Sequence, residues 1–425
     1  MSDMRPEPDG RPACRPQGGG GNARSATSVR KRLVGSAGLL LVVAVQAAAS
    51  PAAAITSPSP VPPESAPAPI ATLEPPPGSP FDEVVGGAGL ATTGAPATPA
   101  EGALVPAMDA TAWLVADLDS GDVLAALNAH QPLPPASTIK LLTALALLPS
   151  LDEADVLTAT DDDALTPGSR VGLVPGQRYS VADLEHGLLL ASGNDAAHAL
   201  AASAGTQDRA TSVMNEEAER LGAFDTNATT PHGLDEPGQV SSAYDLALIG
   251  RAVLDDEQLA RLVRTPTYDF PGLDGATFQI QNQNRLLGSY EGTIGLKTGY
   301  TTQAGHTLVA AAERDGARLI VVVLGAEGRA EVGARSLLDW GFAAQGVPPV
   351  GRLVTPDEVA AAHAGDDRDA VPDQGPAQSV ADAVDTAARL PVWVWPTVAL
   401  VAAAVVVGLL WRRRRRASGR YSAPS

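Results

Sequence analysis

Cysteine is almost missing. Cys14 stands alone, so the chain can close no internal disulfide and build no cysteine-based metal site. Positive charge is scarce too. Lys and Arg total 30 against 48 Asp and Glu, a net charge of −18, which argues against nucleic acid as a partner. No internal repeat is visible. His186 and His198 are separated by the Ser192-Gly193-Asn194 break and have no third ligand in step with them. They do not read as a metal pair, and no cofactor is called for. Asp161, Asp162 and Asp163 read as a solvated loop, and His232 as loop support near a site.

Two stretches lack charge altogether, Leu33–Val45 and Pro391–Trp411. The first follows a basic cluster at Arg30, Lys31 and Arg32 and precedes small residues, the pattern of a signal peptide. The second is long enough to cross a bilayer. It carries Trp393, Trp395 and Trp411 at its ends and runs straight into Arg412–Arg416, which places that end in the cytoplasm. The expected organisation is a disordered basic segment (1–32), a signal-peptide region or N-terminal anchor (33–54), and a Pro/Ala-rich linker (55–106). A folded domain (107–345), an acidic Ala-rich spacer (346–390), a transmembrane helix (391–411) and a cytoplasmic basic tail (412–425) follow. The expected location is the cell membrane, with one C-terminal span and the folded domain outside.

Within 107–345, apolar runs at Ala112–Ala116 and Val123–Leu127 flank Asp119-Ser120-Gly121, a hairpin signal. A helix is expected up to Leu148, and VADLEHGLLLASGNDAAHALAAS is helical apart from the break at Ser192-Gly193-Asn194. RATSVMNEEAERLG is amphipathic, with Val213, Met214, Ala218 and Leu221 on one face. SSAYDLALIGRAVL is a further helix. After Gly292 come TIGLKTGYT, a strand pair turning at Asp315-Gly316, and a last helix in AEVGARSLLDWGF. Strands at both ends with helices between them predict an α/β (α+β) domain. Its single five-stranded antiparallel sheet takes two strands from the N-terminal part and three from the C-terminal part, and an inserted helical region flanks it.

Ser137 stands three residues before Lys140 where a helix begins. Residues so spaced share a face, so the Lys140 amine can take a proton from the Ser137 hydroxyl. The same pattern also suits an N-cap followed by a good helix former, and by itself it decides nothing. Two more motifs decide. Ser192-Gly193-Asn194 begins 52 residues after Lys140, and Lys297-Thr298-Gly299 lies on an expected strand. This is the motif order that marks penicillin-binding proteins and class A beta-lactamases.

With LLLASGNDAAHALA, TTPHGLDEPGQVSSAYDLALIG, NQNRLLGSYEGTIGLKTGYTTQAGHTLVAAAERDGARLIVVVLG and LLDWGF, the chain resembles the D-alanyl-D-alanine carboxypeptidases over about residues 107–345. These are the low-molecular-weight penicillin-binding proteins, peptidase family S11. The resemblance implies a penicillin-binding-protein / serine beta-lactamase-like transpeptidase fold. It implies removal of the last D-Ala from the peptidoglycan stem pentapeptide, with beta-lactam antibiotics as covalent inhibitors of the same serine. It makes Ser137 the nucleophile and Lys140 its base. Ser192 becomes the proton relay to the leaving amine, and Asn194 the residue that holds Lys140 and the substrate amide. Lys297 and Thr298 would meet the substrate's terminal carboxylate, with Gly299 leaving room for substrate along the strand. The backbone amides of Ser137 and Tyr300 would form the oxyanion hole, and Arg329 would stand near the carboxylate. The same scaffold also serves D,D-endopeptidases that cut peptidoglycan crosslinks, and class A beta-lactamases. The glutamate-bearing loop of the latter has no counterpart between Ser192 and Lys297. Relatives often end in a β-rich domain and an amphipathic helix, where this chain has a spacer and an apolar span.

Overall fold

A computed structural model describes residues 78–369, except 101 and 103. The expectations for 1–32, 33–54, 391–411 and 412–425 lie outside the described residues. Among the described residues no helix is long and apolar enough to cross a membrane.

The hairpin at Asp119-Ser120-Gly121 joins β1 (Ala112–Asp117) to β2 (Asp122–Leu127). Beyond the helical region the chain makes two short ribbons. These are β3 (Val156–Thr158) with β4 (Arg178–Ser180), and β5 (Thr267–Pro271) with β6 (Thr277–Gln281). It then returns as β7 (Thr293–Thr301), β8 (Gly305–Arg314) and β9 (Ala317–Ala326). β8 and β9 turn through Asp315 (φ 52°) and Gly316 (φ 83°), the two consecutive left-handed residues of a tight hairpin turn. The main sheet is antiparallel, in the order β10-β2-β1-β9-β8-β7, where β10 is only Gly351–Arg352. The five expected strands are there in the expected division, and β10 is a sixth.

Successive side chains of a strand point to opposite faces. Here both faces are covered. Leu114, Ala116, Ile320, Val322 and Leu324 enter the core shared with the helical region. Trp113, Val115, Leu319, Val321 and Val323 pack instead with Leu337, Leu338 and Trp340 of α8 (Ala330–Ala343). That double burial explains why β9 reads as an unbroken apolar run rather than an alternating one.

The inserted region holds α1 (Lys140–Leu147), α2 (Asp161–Leu165), α3 (Val181–Leu189), α4 (Asn194–Ala202), α5 (Gln207–Leu221), α6 (Ala243–Asp255) and α7 (Glu257–Arg264). Local chemistry sets their ends. Thr160 with Asp163 and Ser180 with Asp183 form capping boxes, and α5 stops at Gly222 with φ +84°. On α5 the fully buried residues are Ala210, Met214, Ala218 and Leu221, while Val213 is half-buried. The reading of Asp161–Asp163 as a solvated loop is corrected. They form the first turn of α2, and Asp163 is buried with its Oδ1 2.6 Å from His198 Nδ1. Asp163 thereby gains a partner on α4 that sequence distance hides.

The folded region also exceeds 107–345 at both ends. Val84, Val85, Leu90 and Ala91, expected in a linker, are buried, as are Leu353, Val354 and Val359, expected in a spacer. α9 (Pro356–Asp369) follows them. The two ends hold each other. Arg352 N donates to Gly86 O at 2.9 Å. Tyr244 OH donates to Arg352 O at 2.8 Å and accepts from Val354 N at 3.0 Å. A Cβ on Gly86 would stand 2.7 Å from the Tyr244 ring. His130 adds a tie, with Nε2 3.0 Å from Val85 O and Nδ1 2.8 Å from Asp225 Oδ2. Composition misjudges these ends because a few apolar residues suffice once a groove and a backbone partner await them.

Candidate active site

Ser137 lies in a 3-10 turn, Ala136–Ile139, that leads into α1. Ala136 is left-handed there (φ 50°), and Thr138 Oγ1 and Thr307 Oγ1 both donate to Pro135 O, at 2.6 and 3.0 Å. Two glycines let neighbouring chain close on this turn. A Cβ on Gly233 would collide with the Ala136 carbonyl. A Cβ on Gly299 would collide with Thr307 Oγ1 and stand 2.8 Å from the Ser137 amide nitrogen. Besides lining the cleft expected to take substrate, Gly299 clears the way for the serine-bearing turn. The same contact sets the serine-bearing turn against β7.

Lys140 is the first residue of α1 and is fully buried. Its Nζ lies 2.9 Å from Ser137 Oγ and donates to Asn194 Oδ1 at 2.7 Å and His232 O at 2.7 Å. Burial holds its amine well below the ordinary lysine range. The nearby Lys297 charge lowers it further, and Asp195 partly opposes both. Two of the three partners, an amide oxygen and a carbonyl, can only accept. A neutral amine has two N–H groups for them, and its lone pair then faces Ser137 Oγ.

Asn194 opens α4. Its Nδ2 donates to Pro167 O at 2.7 Å, and its backbone N to Ser169 O at 2.7 Å. These two bonds fix the amide so that Oδ1 faces Lys140. Ser192, just before, is buried and left-handed (φ 60°). A Cβ on Gly193 would press on Asp195 Oδ1 at 2.7 Å and Val171 N at 3.2 Å, so this glycine is required where two segments meet. Lys297, on β7, is buried, and burial pulls its amine down to about 7. Its Nζ donates to Thr298 O at 2.9 Å.

These elements border an open cleft of about 670 Å³. Ser137, Ser192, Thr298, Gly299, Tyr300 and Arg329 line it, and Lys140, Asn194 and Lys297 lie buried beside these residues. All nine residues singled out from sequence thus gather in one region. Tyr300 is exposed and tilts against His306, ring centroids 4.7 Å apart. Arg329 caps α8 and stands 3.9 Å from Glu331. His186 and His198 take separate partners, Ala182 O and Asp163. His232 does support the site, through its carbonyl on Lys140. Its ring accepts from Leu234 N at 3.3 Å, and burial, Lys140 and His198 bring its pKa to about 4.

Sequence reasoning passed over Ser169, Arg285 and Gln281–Gln283 in the cleft wall, and Asp195 behind it. Asp195 carried a readable signal as an acid inside an otherwise apolar helix start. The carbonyl of His232 carried none, since every residue has one.

A family profile described as D-alanyl-D-alanine carboxypeptidase matches residues 99–328. Among curated relatives, D-alanyl-D-alanine carboxypeptidase DacB2 of Mycobacterium tuberculosis is 43% identical over 264 residues, spanning 60% of this chain and 90% of its own. DacC of Escherichia coli is 41% identical over 254 residues, 56% of this chain and 62% of its own. Among solved structures, a D-alanyl-D-alanine carboxypeptidase from Mycobacterium tuberculosis is similar with a TM-score of 0.58. It is 42% identical, with 60% of this chain and 99% of that one covered. Penicillin binding protein 6B from Escherichia coli gives a TM-score of 0.53 and 37% identity, covering 58% and 81%.

Proposed function

Since the chain belongs to the D-alanyl-D-alanine carboxypeptidase family, we propose that its cleft removes the terminal D-alanine from peptidoglycan stem pentapeptides through an acyl-enzyme on Ser137. The activity is that of a serine-type D-Ala-D-Ala carboxypeptidase, and penicillins are its acylating inhibitors. One observation supports the assignment of roles best. Lys140 Nζ is fully buried 2.9 Å from Ser137 Oγ, and burial with the Lys297 charge favours its neutral form there.

Neutral Lys140 takes the Ser137 hydroxyl proton as Oγ attacks the penultimate D-Ala carbonyl. The oxyanion accepts from the amides of Ser137 and Tyr300. Ser192, in reach of the cleft, passes a proton to the departing D-Ala nitrogen and takes the one that Lys140 holds, so Lys140 is neutral again. The C–N bond breaks and D-Ala leaves. Water then attacks the ester, Lys140 takes one of its protons and returns it to Ser137 Oγ as that C–O bond breaks, and the shortened peptide is released. Lys297, Thr298 and Arg329 meet the terminal carboxylate. Arrival of that anion favours the charged form of Lys297, which burial alone disfavours.

A stem pentapeptide and a crosslinked dimer lacking any pentapeptide end, given to the purified protein, test the reading. D-Ala is expected from the first and little monomer from the second. Faster cleavage of the dimer would make the protein an endopeptidase, and rapid turnover of penicillin alone a beta-lactamase. Capping the terminal carboxylate as an amide is expected to lower kcat/KM about 30- to 1000-fold, the worth of roughly 2–4 kcal/mol for a charged hydrogen bond. Lys297→Ala should erase most of the difference between free and capped peptide. An unchanged ratio in that variant would remove Lys297 from carboxylate recognition.

The chain's place in the cell rests on its sequence. The charge-free Pro391–Trp411 and the arginines after it support a single span with the catalytic domain outside. Protease added to wall-stripped cells should digest the domain and spare a tag placed after Ser425. The reverse pattern would invert the topology.

A further inference from the structure

Asp195 has no part in the chemistry above, yet it is fully buried behind the site. Its Oδ1 accepts from Val171 N at 2.9 Å and from Ala196 N at 2.9 Å. Its Oδ2 accepts from Gly172 N at 2.7 Å and Leu173 N at 3.0 Å. Every donor is a backbone amide, and no described salt bridge includes Asp195. Three of the donors belong to the segment that follows Ser169 in the cleft wall. Asp195 itself is joined to Asn194, which holds Lys140.

We propose that Asp195 is a positioning residue of this reaction: it pins the 171–173 segment to the start of α4, beside the Asn194 that holds Lys140, and sets a buried negative charge to act on Lys140. The inference rests on the reading of Lys140 as the base. Three charged or titratable groups face Lys140: Lys297 from β7, His232 from the loop before α6, and Asp195 from α4. The Asp195 charge also acts on Tyr179 of β4, whose pKa is raised first by burial. Burial and Lys297 both drive the Lys140 proton off, and Asp195 is the charge that opposes them. Without that charge Lys140 would be neutral over a wider pH range but a weaker base, and a general base works best with its pKa near the working pH.

The test is the rate of Ser137 acylation by benzylpenicillin against pH, in the full chain and in Asp195→Asn. The wild-type rate should fall on the acid side as Lys140 takes up a proton. In Asp195→Asn that limb should move about one pH unit toward acid, the usual size for loss of a nearby charge, and the plateau above it should drop. A residue that serves the fold alone would lower the rate at every pH with the limb in place, and that result would overturn the proposal. If the wild type is not acylated at all, the reading of the site falls and this inference with it. Should Asp195→Asn not fold, the Asp195 carboxyl carbon can be followed by NMR in the wild type and in Lys140→Met. An inflection present in the first and missing from the second supports the coupling, and its absence from the wild type refutes it.

Discussion

Ser137→Ala protein will carry no covalent penicillin and release no D-Ala, while its thermal midpoint stays within a few degrees of wild type. Ser137 is half-buried at the cleft, and among the described residues its hydroxyl bonds only to Lys140 Nζ, so losing the oxygen opens no cavity and strands no buried carbonyl. The backbone that shapes the turn, including the amide beside Gly299, is untouched. Mass spectrometry of the penicillin-treated protein settles the matter. An adduct on any residue of the variant, or on another residue of the wild type, would remove Ser137 from its role.

Lys140→Met should slow acylation by a factor of at least about 100, since a placed general base contributes that much or more. Methionine fills most of the volume at a fully buried position, so the effect reads chemistry more than packing. The variant strands Asn194 Oδ1 and the His232 carbonyl, each of which now accepts from Nζ. Some stability should therefore be lost, on the order of 1–3 kcal/mol for each buried acceptor left unpaired. The pH profile gives a second readout. Because burial and Lys297 lower the Lys140 pKa, the wild-type rate is carried by the neutral amine and declines as acid protonates it. The residual rate of Lys140→Met should lack that decline. A profile in the variant parallel to wild type would show that another group titrates.

The side chains that gather at the candidate site were legible in the sequence because the proposed chemistry demands particular side chains in a fixed order. Ser137, Lys140, Ser192, Asn194 and Lys297 could be named before any coordinates. What stayed hidden was carried by backbone or by empty space. The third partner of Lys140 is a carbonyl. Gly299 reads as clearance for a ligand, and nothing in the sequence shows that the Ser137 amide also packs against its α-carbon. The sheet was legible from its turn residues and apolar runs, but α7 was passed over although Asp256 caps it through Leu259 N at 2.9 Å and Arg261 and Arg264 sit in its last turn. The ends of the folded region were misjudged because Val84, Val85 and Leu90 stand in proline- and glycine-rich company that drowns a short apolar signal.

The meeting of those ends has a mechanical meaning. Chain enters the domain at Val84–Ala91 and leaves it past Leu353–Val354, and the two segments touch at Gly86 and Arg352. Tension applied through the flanking chain would be borne first by that junction, with Tyr244 as its rivet. The long ladders β1-β9 and β9-β8 would lie off the load path. A domain strung this way should peel at its edge before its central strands feel the pull, leaving the cleft between β7 and α1 in shape while the rim gives.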